Sequence, residues 1–417
     1  MMTNYNKLSV KHFISYFVAK QKQIRIWKYR LSISRKVKKI RKKDKINVVF
    51  VIFELGSWKT ETLYSAMLEH KRFNPILLLS PSLENLDATY TLRDYLDMRQ
   101  YKYKYAGDYY NLECLNPDII IYQKDYKSCY MLQHWCEHNT KYLYCFHEYG
   151  LHTISDSLWC NMQLNAYLWQ SYFENEDAAS SFMKFSRYPD SITITGYLPF
   201  DNLFSSAKEN PWKKSGSRKK IIYAPHHSFK EDYSPGIQYA TFLEYGEFML
   251  ELAQKYKGKV QWAFKPHPRM YDKLVKIWGK EKTEKYYMSW DNLEYGQVEL
   301  GIYDELFKTS DALIHDCSSF TVEYHATNKP VLFLLNRESE SQMDNLQPYA
   351  RKAFDLHYKA YARADIEKFV VNVIEGKDEL KTARTEYCNQ YLRPPYGKTA
   401  CENIINAILG VEEFAEK

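Results

Sequence analysis

The sequence lacks the phosphate-binding and nucleophile motifs of several large enzyme classes. No Gly-x-x-x-x-Gly-Lys, Gly-x-Gly-x-x-Gly or Gly-x-Ser-x-Gly pattern occurs, which argues against P-loop kinases, dinucleotide-dependent enzymes and serine hydrolases. Glycine and proline are sparse, with 14 of each in 417 residues, which excludes collagen-like and low-complexity chains. No run of about 18 apolar residues occurs, so the chain is not predicted to be an integral membrane protein.

Cysteine is present, but not in a metal-binding or disulfide-rich pattern. The eight cysteines are irregularly spaced and none forms Cys-x-x-Cys, so we expect reduced thiols of a cytosolic protein. His134, Cys136 and His138 are ligand-type residues at alternate positions, but no second half of a zinc site accompanies them. Ordinary packing is the preferred interpretation. Because no carboxylate cage is evident either, we expect no tightly bound metal ion or cofactor.

Basic charge is concentrated at the start of the chain. The net charge is +7, yet residues 1–45 hold fifteen Lys or Arg and one acid, whereas the remainder holds 43 basic and 50 acidic residues. Nucleic-acid binding needs a basic face. The mildly acidic body is therefore not expected to bind nucleic acid.

The basic leader, residues 1–45, has the spacing of an amphipathic helix. Such a helix suits an anionic membrane surface, where each Lys or Arg adds roughly 1 kcal/mol. Residues 7–43 therefore predict a cytoplasmic protein held peripherally on the inner face of the cell membrane. The alternative is a helix that packs on the protein's own body. The apolar residues that recur every three or four positions are Val10, Phe13, Ile14, Phe17, Val18, Ile24, Trp27 and Leu31.

From residue 46 onward, short apolar strands alternate with helices. This alternation predicts an α/β protein with parallel sheets in two Rossmann-like halves and a ligand cleft between them. The polar segment 205–220 is the predicted link, giving domains 46–205 and 206–417. The predicted strands are 46–53, 74–80, 118–122, 142–146, 166–170, a short strand from Ile192, 220–224, 260–264, 312–315 and 330–335. The predicted helices include 60–70, 241–256, 303–309 and 319–327.

Three loops of the second half each follow a predicted strand and carry polar side chains suited to chemistry. The carboxyl ends of parallel strands meet at one edge of a sheet, where open α/β sheets bind ligands. The sequence therefore predicts one site built from all three loops. The loops are 223–228 with His226 and His227, 264–268 with Lys265 and His267, and 315–319 with Ser318 and Ser319.

The chemistry of two of these loops points to phosphate. Ser318 and Ser319 lie where a helix is predicted to begin, and its first N–H groups and dipole favour an anion. Alternatively, Ser318 is only an N-cap. His267 lies between two prolines that fix its backbone, so beside Lys265 it can orient a phosphate leaving group.

In the first half, His147 follows a predicted strand and would face the cleft from the opposite domain. An imidazole with a pKa near neutrality beside Glu148 can take a proton from an attacking hydroxyl. A buried or solvated loop histidine is the alternative interpretation.

Several segments of the body match one known family in order and spacing. They are FVIFELGSWKTETLYSAM at 50–67, GYLPFD at 196–201, YAP at 223–225, KPHP at 265–268, DELFKTSDALIHDCSSFTVEYHATNKPVLFL from Asp304 onward, and PYGKTACENIINAIL from Pro395. On these segments, residues 46–415 resemble the CDP-glycerol glycerophosphotransferase family, which builds teichoic acids and related capsular polymers. The leader lies outside the resemblance.

The resemblance implies a GT-B fold whose C-terminal domain binds a CDP-alcohol donor. It further implies transfer of glycerol phosphate, or a related alditol phosphate, to a hydroxyl of a lipid-linked glycan or cell-surface polymer. The catalytic residues that it implies are His147 and His267. The donor-binding residues that we expect are His226, Lys265, Asp316, Ser318, Ser319 and Glu323, with Glu323 as a ribose or cytidine partner.

Three departures from the family pattern keep other functions open. The family's Trp-His-Gly is Phe-His147-Glu148 here, its Tyr-Ala-Pro-Thr ends in His226, and its Asp-Tyr-Ser-Ser has Cys317 in place of tyrosine. The His-Pro and Ser-Ser pairs also resemble bacterial sialyltransferases of the same architecture. The alternatives are therefore a CMP-sugar- or UDP-sugar-dependent glycosyltransferase of capsule synthesis and, less favoured, a scaffold of this fold without catalysis.

Overall fold

Two parallel β-sheets follow one another along the chain in the computed structural model. The structure describes residues 3–82, 86–154, 158–214, 216–229, 240–316, 319–411 and 414. Each sheet lies between layers of helices, and a long helix precedes the first sheet.

The first sheet has the strand order of a doubly wound fold. Its order is β3-β2-β1-β4-β5-β6-β7 and all neighbouring strands are parallel. The order reverses between the first and fourth strands, which is where such sheets form a ligand crevice. The strands are β1 (Ile46–Ile52), β2 (Phe73–Leu79), β3 (Tyr103–Tyr105), β4 (Ile119–Tyr122), β5 (Leu143–His147), β6 (Leu168–Phe173) and β7 (Ile192–Ile194).

The second sheet repeats this arrangement. Its order is β10-β9-β8-β11-β12-β13, again parallel throughout, and it reverses between β8 and β11. The strands are β8 (Lys219–Ala224), β9 (Val260–Phe264), β10 (Gly296–Val298), β11 (Ala312–His315), β12 (Val331–Leu334) and β13 (Tyr358–Ala360).

Fifteen α-helices occur in the described part of the chain. They are α1 (Thr3–Arg41), α2 (Glu61–Glu69), α3 (Leu86–Met98), α4 (Glu176–Met183), α5 (Leu198–Leu203), α6 (Phe242–Lys255), α7 (Met270–Trp278), α8 (Lys280–Asn292), α9 (Asp304–Thr309), α10 (Phe320–Glu323), α11 (Arg337–Gln342), α12 (Pro348–Asp355), α13 (Arg363–Glu375), α14 (Lys381–Tyr387) and α15 (Ala400–Leu409).

The last helix, α15, returns to the first sheet. Its Ile404 and Ile408 are buried in the core that includes β1 and β2. Thr399 and Glu402 form a capping box at its start, and the Asp201 carboxylate accepts hydrogen bonds from its first N–H groups at 2.8 Å. Helix α15 thus packs on the first half although it follows the second in the chain. The domain boundary that we placed at residues 205 and 206 stays a prediction.

The C-terminal half of α1 packs on the first half of the protein. Tyr29, Val37 and Ile40 are buried, and the Tyr29 ring lies 5.4 Å from that of Tyr167 and 6.2 Å from that of Tyr144. Packing on the body, the alternative for the leader, therefore describes this part of the helix. Among the described helices, none combines the length and apolar character needed to cross a bilayer.

Replacing Tyr29 with alanine should destabilise the protein by about 3 kcal/mol, because it leaves a cavity among buried aromatic rings. Urea unfolding followed by circular dichroism measures the change. Tyr16, on the same helix, is 65% exposed, and its replacement by alanine is the matched control, with an expected change below about 0.5 kcal/mol. Equal effects of the two substitutions would show that α1 does not pack on the body.

The cysteines and the candidate zinc residues behave as ordinary packing groups. None of the seven described cysteines forms a disulfide. His134 is buried with its Nε2 atom 2.8 Å from the backbone oxygen of Tyr109, whereas His138 is exposed. These two histidines therefore do not converge with Cys136 on a shared centre in the described structure.

Candidate functional site

The loops that follow β8, β9 and β11 meet at the edge where the second sheet reverses its strand order. Asp316, directly after β11, is fully buried and holds two of the neighbouring segments together. Its carboxylate accepts hydrogen bonds from the His226 backbone N–H at 2.6 Å, the Thr241 N–H at 2.7 Å and the Thr241 hydroxyl at 2.8 Å. Burial raises the pKa of Asp316 to about 6, against the lowering effect of these donors. Asp316 thus shapes the loop that carries His226.

Three histidines converge at this edge. The ring centroids of His227 and His267 are 4.0 Å apart, and His226 lies 4.4 Å from His227 and 5.0 Å from His267. Burial, followed by mutual repulsion, lowers the pKa of His226 to about 3 and that of His267 to about 2. The rings of His226 and His267 are therefore neutral at physiological pH. The sequence predicted a shared site, and the geometry brings these residues together.

The backbone determines which nitrogen of His226 and His267 carries the proton. Nδ1 of His226 accepts the Ser228 N–H at 3.2 Å, and Nδ1 of His267 accepts the Arg269 N–H at 3.1 Å. A neutral imidazole has one N–H, so in both rings the hydrogen is on Nε2. Both rings therefore present hydrogen-bond donors.

This arrangement suits an anion better than a metal ion. One nitrogen from each of His226, His227 and His267 lies within 4.8 Å of the others, so three imidazoles are close enough to suggest a metal centre. A metal ligand needs a free lone pair, but the Nε2 atoms of His226 and His267 carry hydrogen while their Nδ1 atoms accept backbone N–H groups. Donors in a buried corner instead match phosphate oxygens.

Beside the histidine trio, Lys265 and Glu323 flank a buried tyrosine. The Lys265 ammonium donates to the Gly301 carbonyl at 3.0 Å and lies 5.4 Å from the centre of the Tyr303 ring. The Tyr303 hydroxyl donates to the Glu323 carboxylate. Lys59, from the loop after β1, reaches the same tyrosine, with its ammonium 3.1 Å from the hydroxyl. The two halves thus touch at Tyr303, next to Glu323.

The serine loop differs from the expected helix start. Ser318 lies outside the described residues. Ser319 precedes α10, which spans only Phe320–Glu323, and a 3-10 turn from Tyr324 to Thr327 replaces the rest of the predicted helix. Four residues align few peptide dipoles, so the helix contributes less to anion binding than a helix to residue 327 would.

His147 ends β5 and is buried among residues of the first half. It is 1% exposed, its ring stacks on that of Tyr197 at 5.4 Å, and its Nε2 atom lies 3.4 Å from the Leu198 N–H. Its Nδ1 atom is buried without a hydrogen-bond partner among the described residues. Burial, with a smaller effect of His152, lowers its pKa to about 3, so the expectation of a near-neutral pKa is wrong for this ligand-free form.

The loops that follow His147 and His267 belong to different halves of the protein. Tyr149 and Arg269 each lie two residues beyond one of these histidines. Burial raises the pKa of Tyr149, and the charge of Arg269 opposes that shift, which places the two loops near one another. Together with the Lys59–Tyr303 contact, this indicates that the two halves approach one another at these loops.

Sequence reasoning missed several residues where the two halves meet. Lys59 and Tyr303 were not singled out, although Lys59 lies in the 50–67 segment and Tyr303 directly precedes α9. His152 and Glu174 were missed as well; they form a buried pair with a nitrogen–oxygen distance of 2.8 Å. Glu174 follows a predicted strand, which was the available signal.

Residues 160–340 match the sequence model of the family CDP-Glycerol:Poly(glycerophosphate) glycerophosphotransferase. This range contains the histidine trio, Lys265, Asp316 and Glu323, and it begins after His147. No curated protein matches the chain.

Solved structures share the fold at low identity. Wall teichoic acid polymerase TagF is 13% identical with a TM-score of 0.59, over 98% of this chain and 98% of that chain. The S. aureus MnaA–UDP co-structure is 15% identical with a TM-score of 0.53, over 87% and 96% of the two chains. The UDP-GlcNAc 2-epimerase from Neisseria meningitidis bound to UDP-GlcNAc is 13% identical with a TM-score of 0.53, over 88% and 100%. These likenesses confirm the predicted two-domain α/β fold of GT-B type.

Proposed function

We propose that this chain is a member of the CDP-glycerol:poly(glycerophosphate) glycerophosphotransferase family, whose sequence model matches residues 160–340, and that it moves glycerol phosphate from CDP-glycerol to a hydroxyl of a lipid-linked glycan or cell-surface polymer. The observation that carries the proposal is the trio of His226, His227 and His267 at the reversal point of the second sheet. Two of its rings offer Nε2–H donors within a buried corner, beside the Lys265 ammonium. A pyrophosphate needs such a set of donors and one nearby positive charge.

In the proposed reaction, the acceptor oxygen forms a bond to the phosphorus that carries glycerol. The bridging P–O bond breaks, and CMP departs with its electron pair. The proton of the acceptor hydroxyl passes to His147, at the end of β5 in the other half. His226, His267 and Lys265 stabilise the charge that develops on the departing phosphate, because such transfers depend mainly on positioning and electrostatics.

Ser318 and Ser319 are proposed to add hydroxyl contacts to the donor phosphates, and Glu323 to accept hydrogen bonds from the ribose or cytosine. Glu323 is buried, and burial raises its pKa while Lys59 opposes that shift. Its present partner, Tyr303, would have to yield or share the carboxylate when the nucleoside binds. Asp316 acts on the donor through the His226 loop.

Measuring CMP release from a panel of donors tests this function. We expect release from CDP-glycerol only when an acceptor is present, using a synthetic lipid-linked disaccharide with or without one terminal glycerol phosphate. CMP-sialic acid and UDP-GlcNAc are the competing donors. Turnover of either sugar nucleotide, with none of CDP-glycerol, would establish a glycosyltransferase instead. Binding of CDP-glycerol without any turnover would favour a scaffold.

The exposed face of α1 supports a proposed peripheral position on an anionic membrane. Its body-facing side is occupied by the protein core, yet large apolar side chains line the opposite side at three- and four-residue spacings. Lys20, Lys28 and Arg35 lie on the same exposed side. An apolar stripe among cations is the pattern of an interfacial helix. The stripe consists of Phe17, Ile24, Trp27 and Leu31, which are 53%, 46%, 62% and 64% exposed.

Replacing the four stripe residues by serine should weaken sedimentation with phosphatidylglycerol-rich vesicles by about 100-fold or more, because each loses an apolar side chain from the interface. Deleting the whole helix is a poorer test, since it removes buried core residues. The matched control replaces four exposed apolar residues outside the leader, Tyr110, Leu132, Met288 and Leu300, by serine. Undiminished sedimentation of the stripe variant would disprove the membrane role.

A further inference from the structure

A buried carboxylate, Glu174, lies at the junction of the two halves. It follows β6, and it is 3% exposed. The backbone N–H and the Nδ1 atom of His152 both donate to it at 2.8 Å. The Tyr349 hydroxyl, from α12 of the second half, is a third donor. Burial raises the pKa of Glu174, but these donors, His152 foremost, outweigh it and hold the pKa below its usual value. Glu174 is therefore ionised.

Glu174 is close to His147 in the sheet. His147 is in register with Tyr172 of the adjacent parallel strand, so Glu174 lies two residues beyond that pairing at the same edge. Burial, followed by His152, lowers the pKa of His147, and the negative charge of Glu174 opposes both effects. The titratable groups that face Glu174 are His147, Glu148, His152, Tyr197, Tyr349 and Tyr387.

Two carboxyl groups near His147 have pKa values shifted in opposite directions. Burial, with repulsion from Asp125, raises the pKa of Glu148 well above its usual value, which favours the neutral form of Glu148. Glu174, with three donors, keeps its charge. Buried acids whose environments separate their pKa values in this way take different roles in an active site. The sequence pattern pointed to Glu148, which directly follows His147, as the acid beside this histidine. In the structure, the acid that carries the negative charge is Glu174.

We infer that Glu174, held in place by His152 and Tyr349, is a positioning residue that stabilises the positive charge which His147 acquires when it takes the acceptor's proton. The inference rests on the proposed function. In the step concerned, the acceptor O–H bond breaks as its oxygen bonds to phosphorus, CMP leaves with the bridging electron pair, and the proton later passes from His147 to solvent. A nearby fixed anion favours imidazolium over imidazole, as the buried carboxylate does in hydrolase triads.

The test is the pH dependence of turnover in Glu174→Gln. Without the anion, His147 is a weaker base, so kcat at pH 8 should fall about 10-fold, as expected for a general base whose pKa drops by roughly two units. The acid limb of the pH profile should move to lower pH. The difference in kcat between the variant and the wild type should therefore shrink as pH falls. The affinity for CDP-glycerol, measured by calorimetry, should stay within about twofold.

For Tyr349→Phe we expect the acid limb of the pH profile to shift in the opposite direction. This second variant keeps the test decisive if Glu174→Gln does not fold. It removes one donor, leaves more negative charge facing His147, and should move the acid limb to higher pH. Tyr95→Phe, which removes a similar tyrosine–glutamate hydrogen bond in α3, is the matched control with no expected shift. The inference is wrong if the acid limb of the pH profile stays in place in both Glu174→Gln and Tyr349→Phe. It is also wrong if these variants lose the same fraction of kcat at every pH. Failure of the wild type to transfer glycerol phosphate would instead overturn the proposed function.

Discussion

Replacing His147 with alanine is expected to lower kcat for glycerol phosphate transfer by about 10²–10⁴-fold, the range that a general base contributes. The affinity for CDP-glycerol should remain within about twofold, because the donor corner lies in the other half. CMP release under saturating donor and acceptor measures the first quantity, and calorimetry measures the second. The contrast between the two values identifies a residue that acts on the acceptor.

An exposed histidine is the control for this substitution. His138 lies on the surface of the first half, and its replacement by alanine should leave both quantities unchanged. His147 is fully buried, so thermal unfolding must show that the alanine variant still folds. A folded His147→Ala enzyme with wild-type kcat would remove this histidine from the mechanism.

Replacing His267 with alanine should weaken CDP-glycerol binding by about 10-fold to 100-fold, the cost of one hydrogen bond to a charged group. Glutamine at the same position retains an N–H donor, so His267→Gln should recover part of the affinity. Calorimetric titration with CDP-glycerol measures both variants. Equal affinities of wild type and alanine variant would show that the histidine trio does not bind the donor.

The pH dependence of donor affinity separates two modes of binding. His226 and His267 have pKa values near 3 and 2 and use Nδ1 to accept backbone N–H groups, so protonation would cost those bonds. We therefore expect the dissociation constant to be flat between about pH 7 and 8, above the pKa of about 6 of the Asp316 carboxyl that holds the His226 loop. If the histidines instead bound as cations, affinity would rise as pH falls and donor binding would take up protons. Titration in buffers of different ionisation enthalpy distinguishes these outcomes.

Much of the fold was predictable because its strands are buried on both faces. Such strands read as continuous apolar runs, and β1, β4, β8 and β11 lie within one or two residues of the predicted limits. The three-residue strands β3, β10 and β13 were missed, whereas the equally short β7 was predicted as the short strand from Ile192. Helix α8 was missed because its mostly polar sequence has a weak apolar face.

The candidate site was partly predictable for a related reason. Parallel strands bring their carboxyl ends to one edge, so the positions of His226, Lys265 and His267 followed from the alternation of strands and helices. The role of Asp316 as a clamp for neighbouring backbone did not follow, because Thr241 lies 75 residues away. Glu323 was predicted as a donor contact, but its present partner Tyr303 was not.

By itself, the sequence determined the parallel α/β class and the edge of the sheet at which the histidines lie, since these depend on local apolar patterns and short motifs. Only the tertiary structure decided which nitrogen of each histidine carries hydrogen, which of two acids near His147 stays charged, and which side of α1 is left exposed. Those properties depend on burial and on partners distant along the chain. Desolvation and hydrogen bonding act through space, so no local pattern of residues encodes them.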